Sequence, residues 1–95
     1  MYEIIWTPRA KYSYFDTLKY WRNHNKSNTY SNKIVNEVDL VLVEILSNPS
    51  FLATYSSKLN LYKKNFFKGK FALYYEIKND KIIIEYFRSN KQKPL

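Results

Sequence analysis

The chain has 95 residues, with 16 Lys and Arg against 8 Asp and Glu, one His and no Cys. Disulfides, thiolate metal sites and a Cys nucleophile are thereby excluded, and a lone His24 cannot build a His-based metal cluster. No apolar run reaches the ~18 residues of a membrane span, and the opening residues lack the basic start and apolar stretch of a secretory signal, so a reducing cytoplasm is the expected compartment.

Residues 2–6 are apolar and partly β-branched, which predicts a first strand. Thr7-Pro8 then supplies a helix start, because Thr can cap and Pro at the first helical position lacks an N–H that would be orphaned anyway. Ala10, Tyr14, Leu18 and Trp21 share one stripe, so the helix is expected to run to about Arg22. Residues 23–28 form a polar connector holding His24. A second helix carries Tyr30, Ile34, Val38, Val41, Leu42 and Ile45 on its apolar face and is stopped by Asn48-Pro49.

Residues 50–60 carry the weakest pattern. Phe51, Leu52 and Tyr55 are expected to tuck into the edge of the core. A strand follows over residues 61–67, then a turn at Lys68-Gly69, the one Gly of the chain. Over residues 70–78 the alternation places Phe71, Leu73, Tyr75 and Ile77 on one face and Lys70, Ala72, Tyr74, Glu76 and Lys78 on the other. Asn79-Asp80 is a tight hairpin signal. Residues 81–88 make the last strand, whose Ile82-Ile83-Ile84 run suggests a central strand covered on both faces. Residues 89–95 form a basic tail.

The order β-α-α-β-β-β fits a single two-layer α+β domain spanning residues 1–95. Its N-terminal strand and helical hairpin pack on an antiparallel sheet. Trp6 and Trp21 belong to the core. Charge is uneven along this chain: residues 58–95 hold ten basic and three acidic residues, whereas residues 1–57 hold six and five. A strand platform rich in Lys and Tyr suits a polyanion. Lys63, Lys64, Arg88, Lys91 and Lys93 are the expected nucleic-acid contacts. Tyr74 and Tyr86 are placed either to stack bases or to pack against a partner helix. Glu76 and Glu85 suit ion pairs across adjacent strands, and His24 reads as an exposed loop residue.

Four local signals resemble the RelE/ParE superfamily of toxins from type II toxin–antitoxin modules. They are the opening Tyr2-Glu3-Ile4-Ile5-Trp6-Thr7-Pro8-Arg9-Ala10, the helix end Leu46-Ser47-Asn48-Pro49, the strand Lys70-Phe71-Ala72-Leu73-Tyr74-Tyr75-Glu76-Ile77, and the tail Phe87-Arg88-Ser89-Asn90-Lys91-Gln92-Lys93-Pro94. The resemblance implies a toxin neutralised by a cognate antitoxin. One branch of the superfamily cuts mRNA on the ribosome and the other poisons DNA gyrase. In the ribonuclease branch, Lys, Arg, a tail His or Tyr, and sometimes Glu serve the 2′-OH attack. Here Ala72 stands where an Arg is often found, Lys91 matches the tail cation, and Pro94 and Leu95 supply no following His or Tyr. On the resemblance, Lys91, Arg88 and Lys64 are the catalytic candidates, and they are expected to converge on one face. The missing Arg and tail His or Tyr favour weak or absent ribonuclease activity. They keep open a degenerate, non-catalytic antitoxin-binding or RNA-binding module. No metal, cofactor or small-molecule partner is implied, and no membrane.

Overall fold

A computed structural model describes residues 1–95. The elements are β1 (Glu3–Trp6), α1 (Pro8–Asn25), α2 (Thr29–Ser47), β2 (Thr54–Ser56), β3 (Leu61–Phe66), β4 (Phe71–Lys78) and β5 (Lys81–Ser89). Thr7 caps α1 as expected: its backbone is extended and its Oγ1 accepts from the Ala10 N–H at 3.2 Å, with Pro8 in the first helical turn. The helix runs past Arg22 to Asn25 and closes on Lys26, which takes the left-handed conformation at φ 50°. His24 is therefore in the last helical turn, not in a loop, and stacks on Tyr20 at 5.5 Å. A polar last turn facing solvent costs a helix little, and Trp21 against Tyr30 at 4.6 Å fixes the hairpin that follows.

The five strands form one sheet in the order β1-β5-β4-β3-β2. Strands β2 to β5 pair antiparallel, and β1 joins β5 in parallel, so the sheet is mixed. The helical hairpin carries the chain from β1 at one edge to β2 at the other. The α+β, two-layer architecture is as the sequence predicts; the short edge strand β2 is an addition. Three residues on a sheet edge, two of them exposed and Ser56 half-buried, leave almost no alternation to read.

Phe51 and Leu52 do not enter the core; they are 59% and 75% exposed, and Tyr55 is exposed too. The loop after α2 is anchored through its backbone instead. The Tyr75 hydroxyl donates to the Pro49 carbonyl, and the Lys64 ammonium donates to the Phe51 carbonyl at 3.0 Å. Carbonyls held inward leave these side chains outward. Nor is β5 the strand covered on both faces. That strand is β4, whose residues from Phe71 to Tyr75 are all buried, while Ile83 stays half-buried.

Along β5 the inward positions are Ile82, Ile84 and then Phe87. The change of parity comes from a bulge: Tyr75 pairs with Ile84 and Tyr74 with Tyr86, leaving Glu85 as the extra residue. The main core joins Ala10, Ile34, Val38, Val41 and Ile45 of the helices to the inner sheet face, around Leu73, Tyr75, Ile82 and Ile84.

Burial, and then the charge of Tyr62, pushes the Tyr75 phenol up from 10.0 to about 12. Burial, and then Asp39, does the same for Tyr14. Both groups keep their proton to higher pH when folded than when unfolded. Their contribution to stability is intact below pH 10 and is lost as pH rises toward 12. An alkaline titration followed by far-UV circular dichroism should show unfolding in that window. Tyr75→Phe should reduce the alkaline loss while costing about 1–2 kcal/mol in urea unfolding at neutral pH, because the Pro49 carbonyl loses its donor.

Candidate functional site

The register sorts the basic residues onto opposite sides of the sheet. Tyr62, Lys64 and Phe66 of β3 lie beside Tyr75, Leu73 and Phe71 of β4 on the helix-covered face. Lys63 lies opposite Tyr74, and Tyr74 opposite Tyr86, on the other face; Arg88 lies opposite Ala72 on that same face. This second face carries a small apolar cluster of Leu61, Ala72 and Tyr74, against which Leu59, Tyr86 and Leu95 pack. The tail reaches it by a turn in which Gln92 Oε1 accepts from the Ser89 N–H and the Asn90 amide donates to Asn65 and to the Gly69 carbonyl. The Arg88 guanidinium then donates to the Lys93 carbonyl.

The expected convergence of Lys64, Arg88 and Lys91 does not occur. Lys64 is 4% exposed and faces the helices, with its ammonium spent on the loop after α2. A Lys between two inward aromatic positions on an alternating strand must point inward, and its long stem carries the charge to a carbonyl. Lys91 sits exposed on the far side of the tail turn, at a cleft shared with Trp21, Tyr30 and Lys70. Lys63 and Arg88 remain on the open face, and Lys93 is exposed beside it.

Arg9 joins them, and the sequence reading missed it. Its guanidinium lies 4.0 Å from the Tyr86 ring centre. It also pairs with the Glu85 carboxylate at 3.3 Å and donates to the Glu85 carbonyl. One signal could have flagged it: a cation in the first turn of a helix opposes the helix dipole and needs a partner. The partner is the bulge residue. Glu85 thus pairs with a helix, not with a Lys on a neighbouring strand, and Glu76 makes none of the three ion pairs in the chain.

The result is a row across the sheet of Lys63, Tyr74, Tyr86 and Arg9, with Lys63 lying 5.7 Å from the centre of the Tyr74 ring. Tyr74 is buried beneath its neighbours and Tyr86 lies under Arg9, so neither ring is a free stacking platform. Beside the row a polar cleft of about 220 Å³ opens between α1 and the end of β5, lined in part by Arg9, Asp16, Arg88 and Gln92. No His lies on this face; of its two carboxylates, Glu85 is paired with Arg9 and Glu76 is in no ion pair. The arrangement suits holding an anionic partner through fixed cations. No cluster of side chains suited to a metal ion is present, and no helix is long and apolar enough to cross a membrane.

No protein-family model matches the chain, and no curated protein does. Among solved structures, a chain of the "Chromosomal ParDE TA system from P. aeruginosa" aligns with a TM-score of 0.69. The match covers 94% of this chain and 96% of that one, at 15% sequence identity. The two chains share one fold.

Taken as an anion-binding set, Lys63, Arg88 and Arg9 should each matter to polyanion binding. Lys63→Ala and Arg88→Ala should each lower the slope of log affinity against log salt by about one for a nucleic-acid probe. Lys64→Ala should leave that slope unchanged and lower stability by about 1–3 kcal/mol, through the orphaned Phe51 carbonyl.

Proposed function

We propose that this chain is the toxin-like subunit of a ParDE-type toxin–antitoxin pair, and that it acts by binding a protein target, not by cutting mRNA. The shared fold with a ParDE structure supports the first half of the reading. The observation that carries the second half is the dispersal of the three cations that a nuclease site would gather: Lys64 inside, Arg88 on the open face and Lys91 beyond the tail turn. Phosphoryl transfer needs stabilising charge and a proton acceptor focused on one phosphate. A fixed row of cations and rings suits an acidic polypeptide equally well, with rigid aromatics lowering the entropy cost of binding. The antitoxin in this reading is an acidic segment laid over Lys63, Arg88 and Arg9. The target in this reading is DNA gyrase, as in the non-nucleolytic branch of the superfamily.

Expression alone should arrest growth, and co-expression with the adjacent gene's product should relieve it. Incorporation of labelled thymidine should fall before incorporation of labelled methionine, and purified gyrase should lose supercoiling activity. Early loss of protein synthesis with cleaved mRNA would replace this mechanism with a nuclease. Harmless expression that is indifferent to the neighbouring product would remove the toxin reading. Arg9→Glu together with Arg88→Glu should weaken antitoxin capture at least tenfold, on the scale of about 1.4 kcal/mol per decade, as measured by calorimetry.

A further inference from the structure

The outer side of the helical hairpin, on the opposite side of the molecule from the basic row, is an unpartnered surface with two chemically different halves. On α2, Leu40, Val43 and Leu46 are exposed, the first two at 60% and 61%. A groove beside Val43 and Leu46 is completed by Met1 and Tyr2. On α1, Phe15 is exposed and lines a groove with Lys11 and with Asp39 of α2, whereas the exposed Tyr12 lines the cleft beside the basic row. The charges divide between the helices. Apart from Arg9 and Asp16, which belong to the cleft beside the basic row, helix α1 carries Lys11, Lys19 and Arg22, a balance of +3. Helix α2 carries Glu37, Asp39 and Glu44 against Lys33, a balance of −2.

None of the acids of α2 is in an ion pair, although the chain holds twice as many bases as acids. Lys11, Lys19 and Arg22 are equally without a carboxylate partner. Helix α2 therefore presents an apolar row flanked by acids, helix α1 presents Phe15 among cations, and the two signs are complementary.

We propose that this face binds a second copy of the chain. Two hairpins can meet face to face about a two-fold axis in the contact plane in two ways. An axis across the helices lays α1 on α1′ and α2 on α2′, bringing like charges together. An axis along the helices lays α1 on α2′ and α2 on α1′, and both contacts join opposite signs around Phe15 and the apolar row of α2. Charge selects the second arrangement, an antiparallel four-helix layer whose contact is self-complementary. Helices of this length extend about 27 Å. A patch two helices wide falls near or below the ~800 Å² per partner of a standard interface. The dimer is accordingly a reversible one, weakened by salt. The opposite sheet face stays free, so the contact does not depend on the toxin reading.

The test is sedimentation equilibrium of the full chain at low ionic strength. The wild type should form a dimer, and Val43→Glu should raise its dissociation constant at least about tenfold with unchanged circular dichroism. Lys11→Glu with Lys19→Glu reverses α1, and Asp39→Lys with Glu44→Lys reverses α2. Each double variant alone should be monomeric, since α1 and α2′ then carry the same sign. Mixed in equal amounts, the two should form a heterodimer, because both contacts become attractive again. A wild type that is monomeric at several hundred micromolar would overturn the proposal. So would a dimer indifferent to Val43→Glu, or a mixture of reversed variants that stays monomeric.

Discussion

The extra residue in β5 decides what both sides of this molecule are. Ile82 and Ile84 face the helices, and strict alternation would send Tyr86 and Arg88 inward after them. Burying an Arg without a partner under two helices would cost several kcal/mol. Glu85 absorbs the parity change. Phe87 then turns inward to meet Phe71 at 5.5 Å and Tyr14 at 5.1 Å, and Tyr86 and Arg88 turn outward. The same residue receives the start of α1: its carbonyl accepts from the Thr7 hydroxyl and from Arg9, and its carboxylate pairs with Arg9. One insertion thus completes the core, docks the helix cap and builds the cation–aromatic row.

A second constraint works at the other end of the sheet. The chain must leave α2 and return to the edge as β2, and the loop that does so has its polar backbone turned toward the protein. Tyr75 and Lys64 supply donors from below the helices. A buried Lys is usually read as chemistry. Here its ammonium has a fixed structural acceptor, and its position opposite Leu73 explains why it could not join a surface site. The exposed Phe51 and Leu52 are the outward consequence of that same anchoring.

These two constraints separate the surface into faces of different character. The open sheet face is basic and aromatic, partly closed by Leu95, and built from three strands and the first turn of α1. The outer helical face has an apolar row on α2, with net positive charge on α1 and net negative charge on α2. A chain this small has little surface to spare, and the two-layer architecture leaves one exterior face to each layer.

Much of the architecture was legible from residue order alone. Thr7-Pro8, the stripes of α1 and α2, the stop at Pro49 and the alternation from Phe71 to Ile77 are local signals, because helix and strand periodicity is written in neighbouring residues. They determined the element order, the α+β class and most of the core, including Trp6 and Trp21 packed against it. The lysines, by contrast, could be named from the sequence but not placed. Lys63 and Lys64 are adjacent and chemically identical, and the register with β4 puts one outside and the other inside. Arg88 faces outward only because Glu85 is inserted before it, and a bulge leaves no mark in composition. The parallel pairing of β1 and the contact of Arg9 with Glu85 join residues about 76 positions apart. Local pattern fixes which face of an element is apolar. Only the packed sheet fixes which polar side chains share a surface, because that depends on register, and register is a property of two strands at once.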